Sequence, residues 1–154
     1  MPEFNGYAFA YEPVEDHFGG ARAEHPISEE GVDIVMTDGP PLLPGSQDYV
    51  LDVNREGNHC GCPMPYDAIR QARPKLHCFG HIHEGYGFQG VRGKPQDMEL
   101  GPVSRDSTEL RVGEDGRTVL VNAAVMNHGE GDHSNKPWVV RLELDYQTAV
   151  MSAK

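Results

Sequence analysis

Residues 73–87 read Arg-Pro-Lys-Leu-His-Cys-Phe-Gly-His-Ile-His-Glu-Gly-Tyr-Gly, and they predict a short strand that ends in a histidine-bearing turn. The apolar run Leu76–Phe79 is long enough for a buried strand, and Gly80 breaks it. In an extended segment, residues i and i+2 point to the same side. His81 and His83 are therefore expected to lie side by side just past the strand end.

This pair of histidines makes a reasonable metal half-site, because neutral imidazole is a common metal ligand. The alternative is a pair of solvated loop histidines, since a single His-x-His lacks the further ligands that a metal needs. His77 lies inside the strand and is expected to be a buried structural residue. Glu84 follows the pair directly and could orient an imidazole or face solvent.

A second buried strand is expected upstream, over the apolar residues Val32–Met36. The sequence Thr37-Asp38-Gly39-Pro40-Pro41 then ends it abruptly. Asp38 would lie at the carboxyl end of that strand, where open α/β sheets place their ligands. The alternative is that Asp38 caps the turn through its own backbone.

The chain between these strands predicts a long loop and one helix. Leu42–Asn58 is polar and lacks helical periodicity, so we expect a loop that edges a binding site. Pro65–Ala72 favours a helix with a proline near its first position. The order strand, loop, helix, strand is typical of α/β proteins.

The chain after the histidines predicts further strands and one irregular segment. Residues 90–107 are rich in Gly and Pro and lack periodicity, so we expect a mobile insertion there. Glu109–Val112 and Arg117–Val121 flank Gly113-Glu114-Asp115-Gly116, which predicts a hairpin. Trp138–Leu144 is expected to be the last strand.

Four strings, which also fit in their order along the chain, resemble the calcineurin-like metallophosphoesterases. The string of residues 73–87, with Gly80-His81-Ile82-His83 at its centre, is similar to the last signature of the metallophosphoesterase-domain-containing branch and its fungal relatives. The supporting strings are Gly-Val-Asp-Ile-Val-Met-Thr-Asp-Gly-Pro-Pro at 31–41, Val-Asn-Ala-Ala at 121–124 and Lys-Pro-Trp-Val-Val at 136–140.

The resemblance implies an α/β fold class, a partial metallophosphoesterase-like β-sandwich with flanking helices and its N-terminal half missing. Family members hydrolyse phosphoesters with two metals bound by five signatures. Asp-x-His, Gly-Asp-x-x-Asp and Gly-Asn-His-Asp/Glu do not precede the fourth signature here, and Asp38 stands where that signature offers a histidine. Gly57-Asn58-His59 repeats three letters of the third signature out of order, and we interpret it as chance.

By this resemblance, Asp38, His81 and His83 are the candidate catalytic residues and the candidate metal ligands. They could hold one divalent ion (Zn, Mn or Fe), or they could act as acid–base groups with no metal. The candidate pocket residues around them are Glu84, Tyr86, Asn122 and His128.

Composition bounds the class of protein. A length of 154 residues fits one domain, 1–154. The net charge of −11 argues against nucleic acid and anionic membrane surfaces as partners. No apolar stretch approaches the roughly 18 residues of a membrane span, and the N-terminus has no secretory pattern. Three cysteines, an odd number, favour reduced thiols and a cytoplasmic location.

Three functions are compatible with the sequence. The first is a diverged enzyme that acts on a small molecule by His/Asp acid–base or single-metal chemistry, and not as an ordinary phosphatase. The second is a noncatalytic homo-oligomer or partner subunit, because half of a sandwich leaves sheet edges open. The third is a truncated phosphoester hydrolase that is active only with its missing half.

Overall fold

The structure is a computed structural model that describes residue 27 and residues 31–43, 45, 47–93, 99–106, 109–113, 116–127 and 134–144. His128 therefore lies outside the described residues. The elements of the described chain are β1 (Ile34–Met36), α1 (Pro63–Ala72), β2 (Leu76–Phe79), a 3-10 turn (His83–Gly85), β3 (Gly87–Arg92), β4 (Glu99–Leu100), β5 (Glu109–Val112), β6 (Thr118–Asn122) and β7 (Val139–Leu142).

Five strands form a mixed sheet in the order β1-β2-β6-β3-β4. β1, β2 and β6 are parallel, with His77 of β2 opposite Val35 on one side and Leu120 on the other. β3 runs antiparallel to β6, and β4 runs antiparallel to β3. β5 and β7 form a separate two-stranded parallel sheet. This mixed sheet with one helix of ten residues agrees with the predicted α/β character.

The two faces of the five-stranded sheet are covered differently. On one face, Phe79 and Leu120 pack with the loop residues Leu43, Tyr49 and Leu51. On the other face, the apolar side chains of the sheet pack against those of β5 and β7. That second cluster is Leu76, Leu110, Val112, Val119 and Val121, with Trp138, Val140 and Leu142 at its margin.

The loop before α1 is a structural part of the core. Its described residues form no helix or regular strand, as the sequence predicted, but the side chains of Tyr49, Leu51 and Asp52 have no exposed surface. Their burial supplies the cover that a further helix or strand would otherwise give to this face of the sheet. The burial of this segment could not be predicted from its mostly polar composition, because only isolated positions in it are apolar.

Helix α1 begins at Pro63, two residues before the predicted start, and a proline fits there because its missing N–H would have no partner in the first turn. It ends at Ala72 because Arg73 adopts a left-handed conformation with φ 46° and donates its N–H to the carbonyl of Ile69. Pro74 then directs the chain into β2.

Three predictions about elements were wrong in part. β1 is not buried on both faces, since only Val35 is covered while Ile34 and Met36 are exposed. Strands β5 and β6 do not pair as a hairpin, because they belong to different sheets that pack face to face. The segment 90–107 is not irregular throughout, since residues 90–92 complete β3 and Glu99–Leu100 form β4. Its mobility stays a prediction.

Candidate functional site

The carboxyl ends of β1 and β2 bring Asp38 and His81 together. The backbone joins the two ends through hydrogen bonds from Thr37 N to Cys78 O (3.1 Å) and from Gly80 N to Asp38 O (2.9 Å). Beyond them, His81 Nδ1 lies 3.6 Å from Asp38 Oδ2, and the two side chains are 52% and 63% exposed. The predicted neighbours therefore meet at the surface, at an ion-pair distance that exceeds a good hydrogen bond.

His81 occupies the apex of a tight three-residue turn. The Ile82 N–H donates to the carbonyl of Gly80 at 2.8 Å, and the φ of His81 is +66°. A positive φ is uncommon for a residue with a side chain, and such strain is concentrated at functional sites. The prediction that residues 81–83 are extended was therefore wrong. Strand alternation consequently does not determine whether the side chains of His81 and His83 point to the same side.

His83 begins the 3-10 turn His83–Gly85, which is clamped against the loop before α1. A Cβ added to Gly85 would overlap the carbonyl of Leu51 and would lie 2.9 Å from the Asn122 amide nitrogen. Glycine is thus required at this position by close backbone approach. The turn fixes where His83 and Glu84 leave the backbone.

A cleft of about 210 Å³ opens beside this turn. Its lining residues are His83, Glu84, Tyr86, Arg105, Asn127 and Asn135. Glu84 and Tyr86 were predicted as pocket residues, whereas Arg105 and Asn135 were not. No periodicity or motif marks Arg105, which falls in the segment that the sequence assigned to an insertion.

Tyr86, which lines the cleft, contacts Trp138, Lys136 and Arg105. The Tyr86 ring stacks on Trp138 with centroids 5.0 Å apart and planes 21° apart. Its hydroxyl donates to Lys136 O at 2.7 Å, and burial raises the pKa of Tyr86 above its usual value. Arg105 Nε donates to the carbonyl of Tyr86 at 3.1 Å, which holds the guanidinium at the cleft.

Asn122 differs from its predicted role as a pocket residue. Its side chain is fully buried, and its amide nitrogen donates to the carbonyls of Leu51 (2.9 Å) and Ile82 (2.8 Å). Its amide oxygen accepts from Ala124 N at 3.0 Å. Asn122 therefore supports the His83 turn from below, because it connects that turn to the core loop.

His77 is the buried structural histidine that the sequence predicted, and it also anchors the Asp38 turn. Thr37 Oγ1 donates its proton to Gly39 O at 2.7 Å, so it accepts from His77 Nε2 at 2.9 Å. The Nδ1 atom of His77 is buried with no hydrogen-bond partner among the described residues. Burial lowers the pKa of His77 from 6.5 to about 3, so the ring is neutral at pH 7.

The donor set was tested for its fit to a metal ion. Within the described ranges, no group of three or more His, Cys, Asp or Glu side chains lies close enough to hold one. Asp38 and His81 give two donors in contact, and a catalytic zinc ordinarily has three protein ligands. The described residues do not fit a catalytic metal by themselves, and the predicted triad of Asp38, His81 and His83 is not assembled as one site.

Comparison with known proteins finds partial relatives. Over 59 residues the chain is 48% identical to metallophosphoesterase domain-containing protein 1 of Homo sapiens and of Mus musculus, which covers 38% of this chain and 17% of each relative. It is 43% identical over 58 residues to UPF0046 protein T07D4.2 of Caenorhabditis elegans, covering 37% of this chain and 13% of that protein.

No family model matches the chain. The chain spans less than a fifth of the length of these curated relatives in the matched region. The partial matches support a relation to the metallophosphoesterase superfamily. Among the described residues, no helix is both long enough and apolar enough to cross a membrane.

Proposed function

We propose that this metallophosphoesterase-like protein acts on a small anionic molecule, such as a phosphoester, by His/Asp acid–base chemistry, and that it is not an ordinary two-metal phosphatase. The observation that carries the proposal is the contact between Asp38 and His81 at the ends of two neighbouring parallel strands. Ligands of open α/β sheets bind at such strand ends. The strained backbone at His81 supports the same assignment.

The chemistry follows from the geometry of the pair. With Asp38 on the Nδ1 side of His81, the Nε2 atom is left to exchange a proton with a bound molecule. The carboxylate stabilises the imidazolium that results, and such a pair contributes on the order of 10²–10⁴-fold to a rate. The gap of 3.6 Å can close on binding, since catalytic hydrogen bonds often tighten only in the complex.

The cleft beside the turn supports an anionic substrate. Arg105 supplies a planar cation that recognises carboxylates and phosphates. The amides of Asn127 and Asn135 and the ring of Tyr86 complete a wall of polar and aromatic groups. A volume of about 210 Å³ suits a small molecule better than a polymer.

The test is hydrolysis of bis(4-nitrophenyl) phosphate and 4-nitrophenyl phosphate, with and without EDTA. His81→Asn removes the imidazole but suits a positive φ, and Asp38→Asn removes the carboxylate. We expect each to lower kcat at least about 10²-fold. The control is Asp67→Asn on the exposed surface of α1. Unchanged turnover in both site variants would contradict the proposal, and elemental analysis would report any bound metal.

A noncatalytic role as a homo-oligomer or partner subunit is the second candidate. It is supported by the edge strand β1, where Ile34 is 49% exposed and Met36 is 77% exposed. The short match to longer relatives supports the third candidate, a hydrolase that needs a further part of the fold. A cytoplasmic location also stays a proposal, supported by the free thiols of all three cysteines.

A further inference from the structure

A second aspartate–histidine pair lies in the loop before α1, away from the pair of Asp38 and His81. The Asp52 side chain has no exposed surface, and its Oδ1 lies 2.7 Å from His59 Nδ1, whereas the His59 side chain is 40% exposed. Asp52 Oδ2 accepts from Gly61 N at 3.2 Å. Burial raises the pKa of Asp52, and the hydrogen bonds from His59 and Gly61 oppose that rise.

The backbone of this segment does not need the imidazole. The chain reverses between Val53 and His59, which form an antiparallel bridge, and Cys60 N donates to Asp52 O at 2.9 Å. The Asn54 side chain closes the turn by accepting from Asn58 N at 2.9 Å. Since these bonds define the reversal, one oxygen of the buried carboxylate is left to orient the His59 ring while the other accepts from Gly61 N.

The orientation leaves one ring nitrogen for chemistry. An ionised carboxylate only accepts hydrogen bonds, so Nδ1 of His59 carries the proton that binds Asp52. In the neutral ring, Nε2 is then a lone-pair acceptor. Because Nδ1 is bound to the buried Asp52 and the His59 side chain is 40% exposed, Nε2 is the ring nitrogen that is left for a bound molecule.

The chain segment that carries this pair is in contact with the His83 turn. The side-chain amide of Asn122 donates to the carbonyls of both Leu51 and Ile82. Leu51 precedes Asp52 in the chain and Ile82 precedes His83, so Asn122 connects the two segments. Gly85 packs directly beneath the carbonyl of Leu51. Burial raises the pKa of the Cys60 thiol most, and the charges of Asp52, Glu56 and Glu84 raise it further. Glu84 therefore lies within electrostatic range of Cys60, which follows His59 in the chain.

We propose that His59, oriented by Asp52, is a second proton-transfer residue for anionic ester substrates at the cleft of His83 and Glu84. This inference rests on the proposed function.

His59 would act as a general base towards water. Nε2 accepts a proton from a water molecule while the water oxygen forms a bond to phosphorus. The bond between phosphorus and the leaving oxygen breaks, and its electron pair stays on that oxygen. The proton then passes from Nε2 to the leaving oxygen or to solvent, and the imidazolium is stabilised meanwhile by the Asp52 carboxylate.

The first experiment measures turnover of bis(4-nitrophenyl) phosphate. In His59→Asn, the amide nitrogen stands near the position of Nδ1 and keeps the bond to Asp52, but Nε2 is lost. We expect kcat to fall about 10²-fold with KM unchanged. Asp52→Asn should lower kcat less, and the double variant should match His59→Asn because Asp52 acts through His59. Glu56→Gln on the same turn should leave kcat unchanged.

The second experiment does not depend on turnover. Inorganic phosphate is titrated into the 15N-labelled chain while the ring signals of His59 and His83 are followed by NMR. We expect both rings to respond with the same dissociation constant. Wild-type turnover in His59→Asn, or a His59 signal that phosphate leaves unmoved, overturns the inference. The proposed function is judged separately, by His81→Asn.

Discussion

At the scale of single residues, the site depends on histidines in three different environments. His81 is half-exposed on a strained turn beside Asp38, and His59 is partly exposed against a buried carboxylate. His77 is fully buried and serves to hold the Asp38 turn through Thr37. The same side chain is therefore a candidate proton carrier in two positions and a neutral hydrogen-bond donor in the third.

His77 should make the fold sensitive to acid. Its pKa is about 3 in the folded chain and 6.5 when unfolded, so only the unfolded chain takes up the proton between those values. Its contribution to stability is complete above pH 6.5 and falls as the pH drops towards 3, with a slope approaching about 1.4 kcal/mol per pH unit. Urea unfolding at a series of pH values measures this slope.

The matched variant for this prediction is His77→Gln, whose amide nitrogen stands near the position of Nε2 and keeps the donor to Thr37. The difference between variant and wild type isolates His77 from groups such as Asp52, whose burial acts in the opposite direction. Identical pH dependence in the two proteins would contradict the assignment of a buried, neutral His77.

At the scale of elements, the site depends on the clamp between the core loop and the 3-10 turn. Gly85→Ala should destabilise the fold by roughly 2 kcal/mol, because the added methyl group meets the rigid backbone carbonyl of Leu51. Gly39→Ala is the control, since no atom lies within 4 Å of the added Cβ there. We expect that control to stay within about 0.5 kcal/mol of wild type in urea unfolding. Equal free energies of unfolding for the two variants would show that the backbone around Leu51 can move to accept the added methyl group.

At the scale of the whole molecule, β1 and β4 form the two edges of the five-stranded sheet. β1 leaves one side of its backbone unpaired among the described strands and exposes Met36, and such edges associate with other chains unless they are blocked.

If the chain forms a homo-oligomer through this edge, Met36→Lys should yield a monomer by light scattering, because a buried lysine would be costly. Val103→Lys, beyond β4 at the opposite edge, should leave the assembly unchanged. Dimers that survive Met36→Lys would place the interface elsewhere.

Much of the site's location was predictable from local patterns. The strand Leu76–Phe79 was predicted with its observed bounds, and the approach of Asp38 to His81 followed from two strands that end side by side. The geometry beyond Gly80 was not predictable, because alternation holds only for extended chain and His81 turns out of it with a positive φ. Arg105 and the pair of Asp52 and His59 carry no periodicity that a sequence could reveal.

By itself, the sequence determined the apolar strands, the helix, the glycine-framed histidines and the partial similarity to metallophosphoesterase domain-containing proteins, because each depends on neighbours in the chain. The tertiary structure alone decided which side chains meet over long separations. Asn122 became a buried clamp, β5 and β6 went to opposing sheets, and Asp52 was enclosed beside His59. The physical reason is that burial and close approach are set by packing between distant segments, and local composition does not encode them.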